Sequence, residues 1–179
     1  MQLCERVIVC LNSDEPFFPL KEAIWAFDIL RFLHPNLRLV IASGGDDAWR
    51  VEKFARDMET TEQVRFVSGW RDLKAALANA AVAWITNPGE EDPMLVENAL
   101  AAGVPIVAVP CPAVRGLFVD GANGWLVPGG NKPVLAKKTH QLLSAKFPIR
   151  PPGCECDPDV THQTHRDGNG IIPDAPAGL

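Results

Sequence analysis

The chain has 179 residues, 47% of them hydrophobic and 22% charged, with a formal net charge of −5. That length suits one domain with a real core and leaves little room for a second. The acidic balance argues against a nucleic-acid partner, whose backbone calls for clustered Lys and Arg, and no window nears the ~20 apolar residues of a membrane span.

The N-terminal MQLCERVIVCLN carries Glu5 and Arg6 within its short apolar run and has no small-residue cleavage site. It reads as a first strand, RVIVCLN (6–12), and not as a signal peptide. KEAIWAFDILRFL (21–33) follows as a helix with Ala23, Phe27, Leu30 and Leu33 on one face. LRLVIAS (37–43) is the second strand. DDAWRVEKFARDM (46–58) is a helix with Val51, Phe54, Ala55 and Met58 on one face and Asp46 or Asp47 as N-cap. VRFVSG (64–69), VAWIT (82–86) and PIVAV (105–109) are further strands, with helices RDLKAALANA (71–80) and PMLVENALAA (93–102) between them. The turn-rich DGANG (120–124) leads to a last strand, WLVP (125–128), and Asn131 can cap NKPVLAKKTHQLLSA (131–145). Six strands alternating with helices predict an α/β fold: a Rossmann-like, doubly wound parallel sheet with helices on both faces.

From Phe147 the composition turns to Pro, Gly and Asp without periodicity, so the expected division is a domain over 1–146 and a flexible tail over 147–179. The tail holds Cys154, Cys156, His162 and His165, a C-x-C…H-x-x-H pattern that matches no common zinc finger and lacks residues to pack around a metal. Cys4, Cys10 and Cys111 stand in apolar surroundings and read as buried thiols of a reducing compartment, which makes the cytoplasm the expected location. His34 and His140 fall on helices with no visible partner, and Trp25, Trp70 and Trp84 read as packing residues. Of the three, only Trp70 sits at a strand end where it could stack on a base. The Gly44–Gly45 pair reads as a turn.

The segment NPGEEDPMLVENALAAGVP (87–105) carries a resemblance. With VRFVSGW and LKAALANAAVAWITN before it and DGANGWLVPGGNKPVLAKKTHQLL after it, it is similar to the donor-binding C-terminal half of retaining GT-B glycosyltransferases. These are the enzymes exemplified by sucrose and trehalose synthases and many mannosyltransferases. Their signature is a glutamate, seven residues, a second glutamate, and a small-residue helix ending in Gly-x-Pro. AAGVP (101–105) matches that ending, which aligns the first glutamate with Glu90 and the second position with Asn98.

The resemblance implies half of a GT-B fold that binds a UDP-, GDP- or ADP-sugar without metal or other cofactor. Glu90 would take sugar hydroxyls and Asn98 the ribose. The helix start at Asp92, Pro93, Met94 and Leu95 would hold the sugar and diphosphate, and the loop Ser68, Gly69, Trp70, Arg71 would lie near the base. No catalytic residue is expected in this half, because the acceptor site and its helpers come from an N-terminal domain. Transfer would then need a separate acceptor-binding subunit.

The residues also depart from that pattern. Asn98 offers one acceptor oxygen where a carboxylate would take two vicinal hydroxyls. Pro93 has no N–H to give a phosphate, and Asp92 before it is suited to cap the helix itself. The first loop, LNSDEPFFP, carries Asp14 and Glu15 where the family has an arginine and a lysine, leaving Lys21 and Arg71 as the nearby cations. Glu90, Glu91 and Asp92 could reverse the local charge only by holding a divalent metal. These departures support an alternative expectation, a non-catalytic relic of the family that serves as an interaction or regulatory module.

Overall fold

The computed structural model describes residues 5–11, 17–42, 48–89, 92–114, 116–117, 119 and 121–144. In chain order the elements are β1 (Arg6–Cys10), α1 (Phe17–Leu33), β2 (Leu37–Ala42), α2 (Ala48–Asp57), β3 (Val64–Val67) and α3 (Trp70–Ala78). Then come β4 (Ala80–Ile85), α4 (Pro93–Ala101), β5 (Ile106–Ala108), β6 (Gly124–Leu126) and α5 (Lys132–Ser144), with a 3-10 turn at Pro112–Val114. The six strands pair in parallel in the order β3-β2-β1-β4-β5-β6. The expected doubly wound sheet is therefore present. The winding direction reverses between β1 and β4, where the helices that follow the two strands lie on opposite faces and leave a crevice at the strand ends.

Strand residues alternate between two cores. Ile8, Cys10, Leu39, Ile41, Val82 and Trp84 point to a layer closed by α1, α2 and α5. Val9, Leu11, Ala83, Ile85, Ile106 and Ala108 point to a layer closed by α3 and α4. Burial on both faces explains why these strands are continuous apolar runs instead of alternating ones. Among the described residues no helix is long and apolar enough to cross a membrane. Cys10 and Cys111 are buried.

Element boundaries shift where local rules compete. α1 begins at Phe17, four residues before the predicted start, and runs through Pro19. Proline is tolerated there because first-turn N–H groups have no intrahelical partner. Leu33, predicted to lie on the inner face, is 57% exposed, and Ile24 and Ala26 are buried instead. α3 stops at Ala78. Asn79 caps it, its Nδ2 donating to the Ala75 carbonyl at 3.1 Å, and Ala80 already belongs to β4. The N-cap expected at Asp46 or Asp47, the Gly44–Gly45 pair, Cys4 and the domain boundary at 146 lie outside the described residues. So do the tail cysteines and histidines.

Candidate functional site

The β4–α4 connection opens at the strand ends beside the reversal point. Thr86, buried at the end of β4, donates from Oγ1 to the Pro19 carbonyl at 3.1 Å and so ties β4 to the first turn of α1. Asn87 folds the chain next, its Oδ1 accepting from the Gly89 N–H at 3.0 Å in an Asx turn. Glu90 and Glu91 lie outside the described residues, and α4 begins directly after them.

The start of α4 is occupied by the chain itself. Asp92 Oδ1 accepts the Met94 N–H at 2.9 Å, Pro93 has no N–H, and the Leu95 N–H donates to the Asp92 carbonyl at 3.0 Å. A helix N-terminus is attractive to anions because its first N–H groups are unpaired. Here the first three are absent or engaged, and an acid stands over them. The other end of α4 is closed by a Schellman motif. Gly103 takes φ 70°, its N–H donating to the Leu100 carbonyl at 2.9 Å while the Val104 N–H reaches the Ala99 carbonyl at 3.0 Å. The Gly-x-Pro ending is thus a helix stop: only glycine enters that left-handed conformation at no steric cost.

The remaining predicted contacts divide into two groups. Asn98 is half-buried on α4, and its Nδ2 donates to the Met94 carbonyl at 2.6 Å, one helical turn back. Its amide is committed to its own helix, with Oδ1 left to accept. Met94 is 55% exposed, whereas Leu95 is buried and offers no side-chain contact. Ser68, Gly69, Trp70 and Arg71 form the β3–α3 corner, all exposed, with Gly69 at φ 105° and no side-chain cap on α3. Arg71 makes no ion pair among the described residues. β3 is three strand spacings from β4, roughly 14 Å. The two clusters therefore do not touch, and a ligand meeting both must lie across the ends of β1 and β2.

The cations near this edge are held by aromatic rings. Lys21 Nζ lies 5.1 Å from the Phe54 ring centroid and 5.3 Å from that of Trp25. Arg50, at the start of α2 and not singled out from the sequence, lies 4.5 Å over the Phe17 ring. A cleft of about 10 Å³ at the ends of β4, β5 and β6 has room for one water. A larger cavity of about 260 Å³ lies under α3 against Val40 and Val67, away from α4. Among the described residues no three His, Cys, Asp or Glu side chains group to hold a metal.

A polar cluster that the sequence did not reveal sits at the opposite end of the sheet. His34, the residue after α1, and His140 on α5 are bonded to each other, Nε2 to Nδ1 at 3.0 Å, correcting the expectation that neither has a partner. Arg6 can only donate, so its Nη2, 3.0 Å from His34 Nδ1, makes that nitrogen the acceptor. Neutral His34 must then donate from Nε2 to His140, whose own Nε2 faces Ser144 Oγ at 3.4 Å. Arg6 Nη1 also donates to the Leu143 carbonyl at 2.7 Å, pinning the end of α5 to β1.

Burial, then the charge of Arg6 and then His140 hold the His34 pKa below its usual value of about 6.5. A group that binds protons less readily when folded stabilises the fold above its unfolded pKa and loses that contribution as pH falls. The urea midpoint is therefore expected to drop as pH falls from about 6.5 toward the folded value, and to drop less in His34→Gln. A wild-type midpoint flat across this window would sink the assignment.

A family model described as glycosyl transferases group 1 matches residues 5–150. An uncharacterized glycosyltransferase of Haemophilus influenzae is 25% identical over 122 residues, covering 68% of this chain and 34% of its own length. The C-terminal domain of a Francisella tularensis glycosyl transferase group 1 family protein (LpcC) superposes with a TM-score of 0.69 at 17% identity, covering 78% of this chain and 76% of that one. The S. aureus protein TarM superposes with a TM-score of 0.70 at 17% identity, over 79% of this chain and 29% of its own. The chain thus spans a third or less of the length of the curated relatives it matches, and the two solved structures establish the likeness of fold.

Proposed function

We propose a donor-side role for this chain from one premise: it belongs to the glycosyl transferases group 1 family, whose model spans residues 5–150. In this reading the crevice at the strand ends binds a nucleotide-sugar, and glycosyl transfer proceeds only with an acceptor-binding half supplied by a partner. The observation that carries it is topological. The strand order reverses between β1 and β4, and the connection after β4, which includes Glu90 in sequence, opens at that reversal, where ligands of such sheets bind. Glu90 would accept hydroxyls of the sugar, Asn98 Oδ1 would accept one ribose hydroxyl, and Trp70 and Arg71 would meet the base side. A fold neighbour supports the ligand class, since S. aureus TarM was crystallised in a complex that includes UDP.

A specific observation favours a second reading, a relic that keeps the fold and not the chemistry. The Asp92 cap and Pro93 withhold the N–H groups a diphosphate would use. Calorimetric titration with UDP, GDP and ADP, without and then with magnesium, separates the two. The donor reading expects one nucleotide to bind without metal and its sugar conjugate to bind more weakly after Glu90→Ala or Asn98→Ala. Asp92→Asn keeps a capping oxygen and removes the negative charge, so it should tighten binding about threefold to tenfold if a diphosphate reaches α4. Absence of binding at millimolar nucleotide leaves the relic reading, and binding seen only with magnesium would assign the acids 90–92 to a metal.

A further inference from the structure

α1 is apolar on two sides. Its inner side buries Leu20, Ala23, Ile24, Phe27 and Leu30. Its outer side exposes Phe18 (70%), Trp25 (36%), Ile29 (44%) and Phe32 (73%), with Leu33 (57%) beside them. Steps of seven, four and three residues put the first four in one straight row along the helix. From Phe18 to Phe32 the row runs about 21 Å, at a rise of ~1.5 Å per residue. Together the five side chains expose on the order of 500 Å², the upper end of contiguous apolar surface on a monomer. The donor reading gives these five side chains no contact: the row lies on the outer side of a helix layer, and only its Trp25 part, with Lys21 and Lys132, comes near the strand-end edge.

The charge around the row has a sign. α1, α2 and α5 together carry eight Lys and Arg against four Asp and Glu, in a chain whose net charge is −5. The layer is therefore +4 and everything else is −9. Basic groups stand directly on the aromatic row. Lys132 Nζ is 3.7 Å from the Trp25 ring centroid, Lys21 Nζ is 5.3 Å from it, and Arg31 Cζ is 5.0 Å from the Phe32 ring. α5, packed beside α1, adds the exposed Lys137 and no acid, while Lys138 turns away to the Trp125 ring of β6, 5.4 Å from its centroid.

We propose that this outer face of α1, with Lys132 and Lys137 of α5, seats the surface of an anionic lipid bilayer. The aromatic row lies in the plane of the headgroups and the lysine ends meet lipid phosphates, Arg31 being held by Asp28 and the Glu59 and Met58 carbonyls. Charge selects this occupant over a second copy of the chain, because a two-fold contact through the same face would press two positive layers together. α1 runs alongside the sheet, so lipid on its outer side leaves the strand ends, and the crevice, open to water.

The test is co-sedimentation of the full chain with vesicles of phosphatidylcholine, pure or with roughly a third phosphatidylglycerol. Binding to the anionic vesicles is expected, weakened by salt and lowered roughly tenfold in Lys132→Glu/Lys137→Glu and in Phe18→Ser/Phe32→Ser, both with unchanged urea midpoints. Lack of binding to either vesicle overturns the proposal, as does equal binding to the neutral ones. Concentration-dependent self-association without lipid binding, abolished by Phe18→Ser/Phe32→Ser, would reassign the face to contact between copies. Nucleotide binding is not read in this experiment, so its result is independent of the donor site.

Discussion

Gly124→Ala is expected to cost about 3 kcal/mol or more of stability, or to leave the chain unable to fold. Gly124 opens β6 and pairs with Ile106 on β5. A Cβ built on it would stand 1.8 Å from the Ile106 carbonyl oxygen and 2.7 Å from its carbon, and φ is +154°. The obstruction is backbone, which no rotamer change relieves. The β5–β6 ladder would have to part, with the Ile106 N–H to Asn123 carbonyl bond at 3.0 Å and the Val127 N–H to Ala108 carbonyl bond at 2.8 Å beside it. Gly121, three residues earlier, provides the control. It has φ +82°, and a Cβ there would meet nothing within 4 Å, so Gly121→Ala carries only left-handed strain, about 1–2 kcal/mol. Urea unfolding of both variants decides the point. Equal losses would mean that the close approach of β6 to β5 is not what requires glycine at 124.

Trp84→Ala should cost about 3–5 kcal/mol, the range for emptying a buried aromatic site. Trp84 on β4 is fully buried. Its Nε1–H donates to Thr139 Oγ1 at 2.8 Å, and that hydroxyl donates in turn to the Leu135 carbonyl at 2.8 Å. Thr139 is thus an internal acceptor that lets an indole sit in an apolar layer. Thr139→Val keeps the shape and leaves the indole N–H without a partner, at about 1–3 kcal/mol. Trp84→Phe keeps most of the packing and gives up the bond. In a double-mutant cycle the second change should add little once the first has been made, because the two remove the same bond. Strict additivity would show that the hydrogen bond contributes nothing. The same link matters to the crevice, since β4 carries Thr86 at its end and α5 closes the layer beneath it.

Much of the architecture follows from local pattern. Apolar runs too long for a one-sided sheet, each followed by a helix-period segment, specify parallel strands covered on both faces. Asp92 before Pro93 and Gly103 before Val104 act within a few residues of themselves, so the two ends of α4 are readable as a cap and a stop. Local rules mislead where packing overrides them. Pro19 suggests that α1 starts after it, yet the helix includes Pro19 because Pro19 and Leu20 are buried in the layer.

The site is legible in outline only, and the reason is distance along the chain. From its own sequence, Asn98 could meet a ribose or face solvent or a neighbouring loop; the structure shows the amide turned back to the Met94 carbonyl of its own helix. Lys21 reads in sequence as a cation near the first loop, but Trp25 and Phe54 lie against it from two helices. His34 and His140 are 106 residues apart and meet only because α5 returns beside α1. The order and type of the elements, the two-sided burial of the sheet and the caps of α4 are already set in the linear chain, because each depends on neighbours within a turn or a strand. Long-range packing settles the rest: which polar side chains are already partnered, which cations the aromatic rings engage, and which apolar face of α1 is left in water. Each of these depends on elements brought together across the sheet.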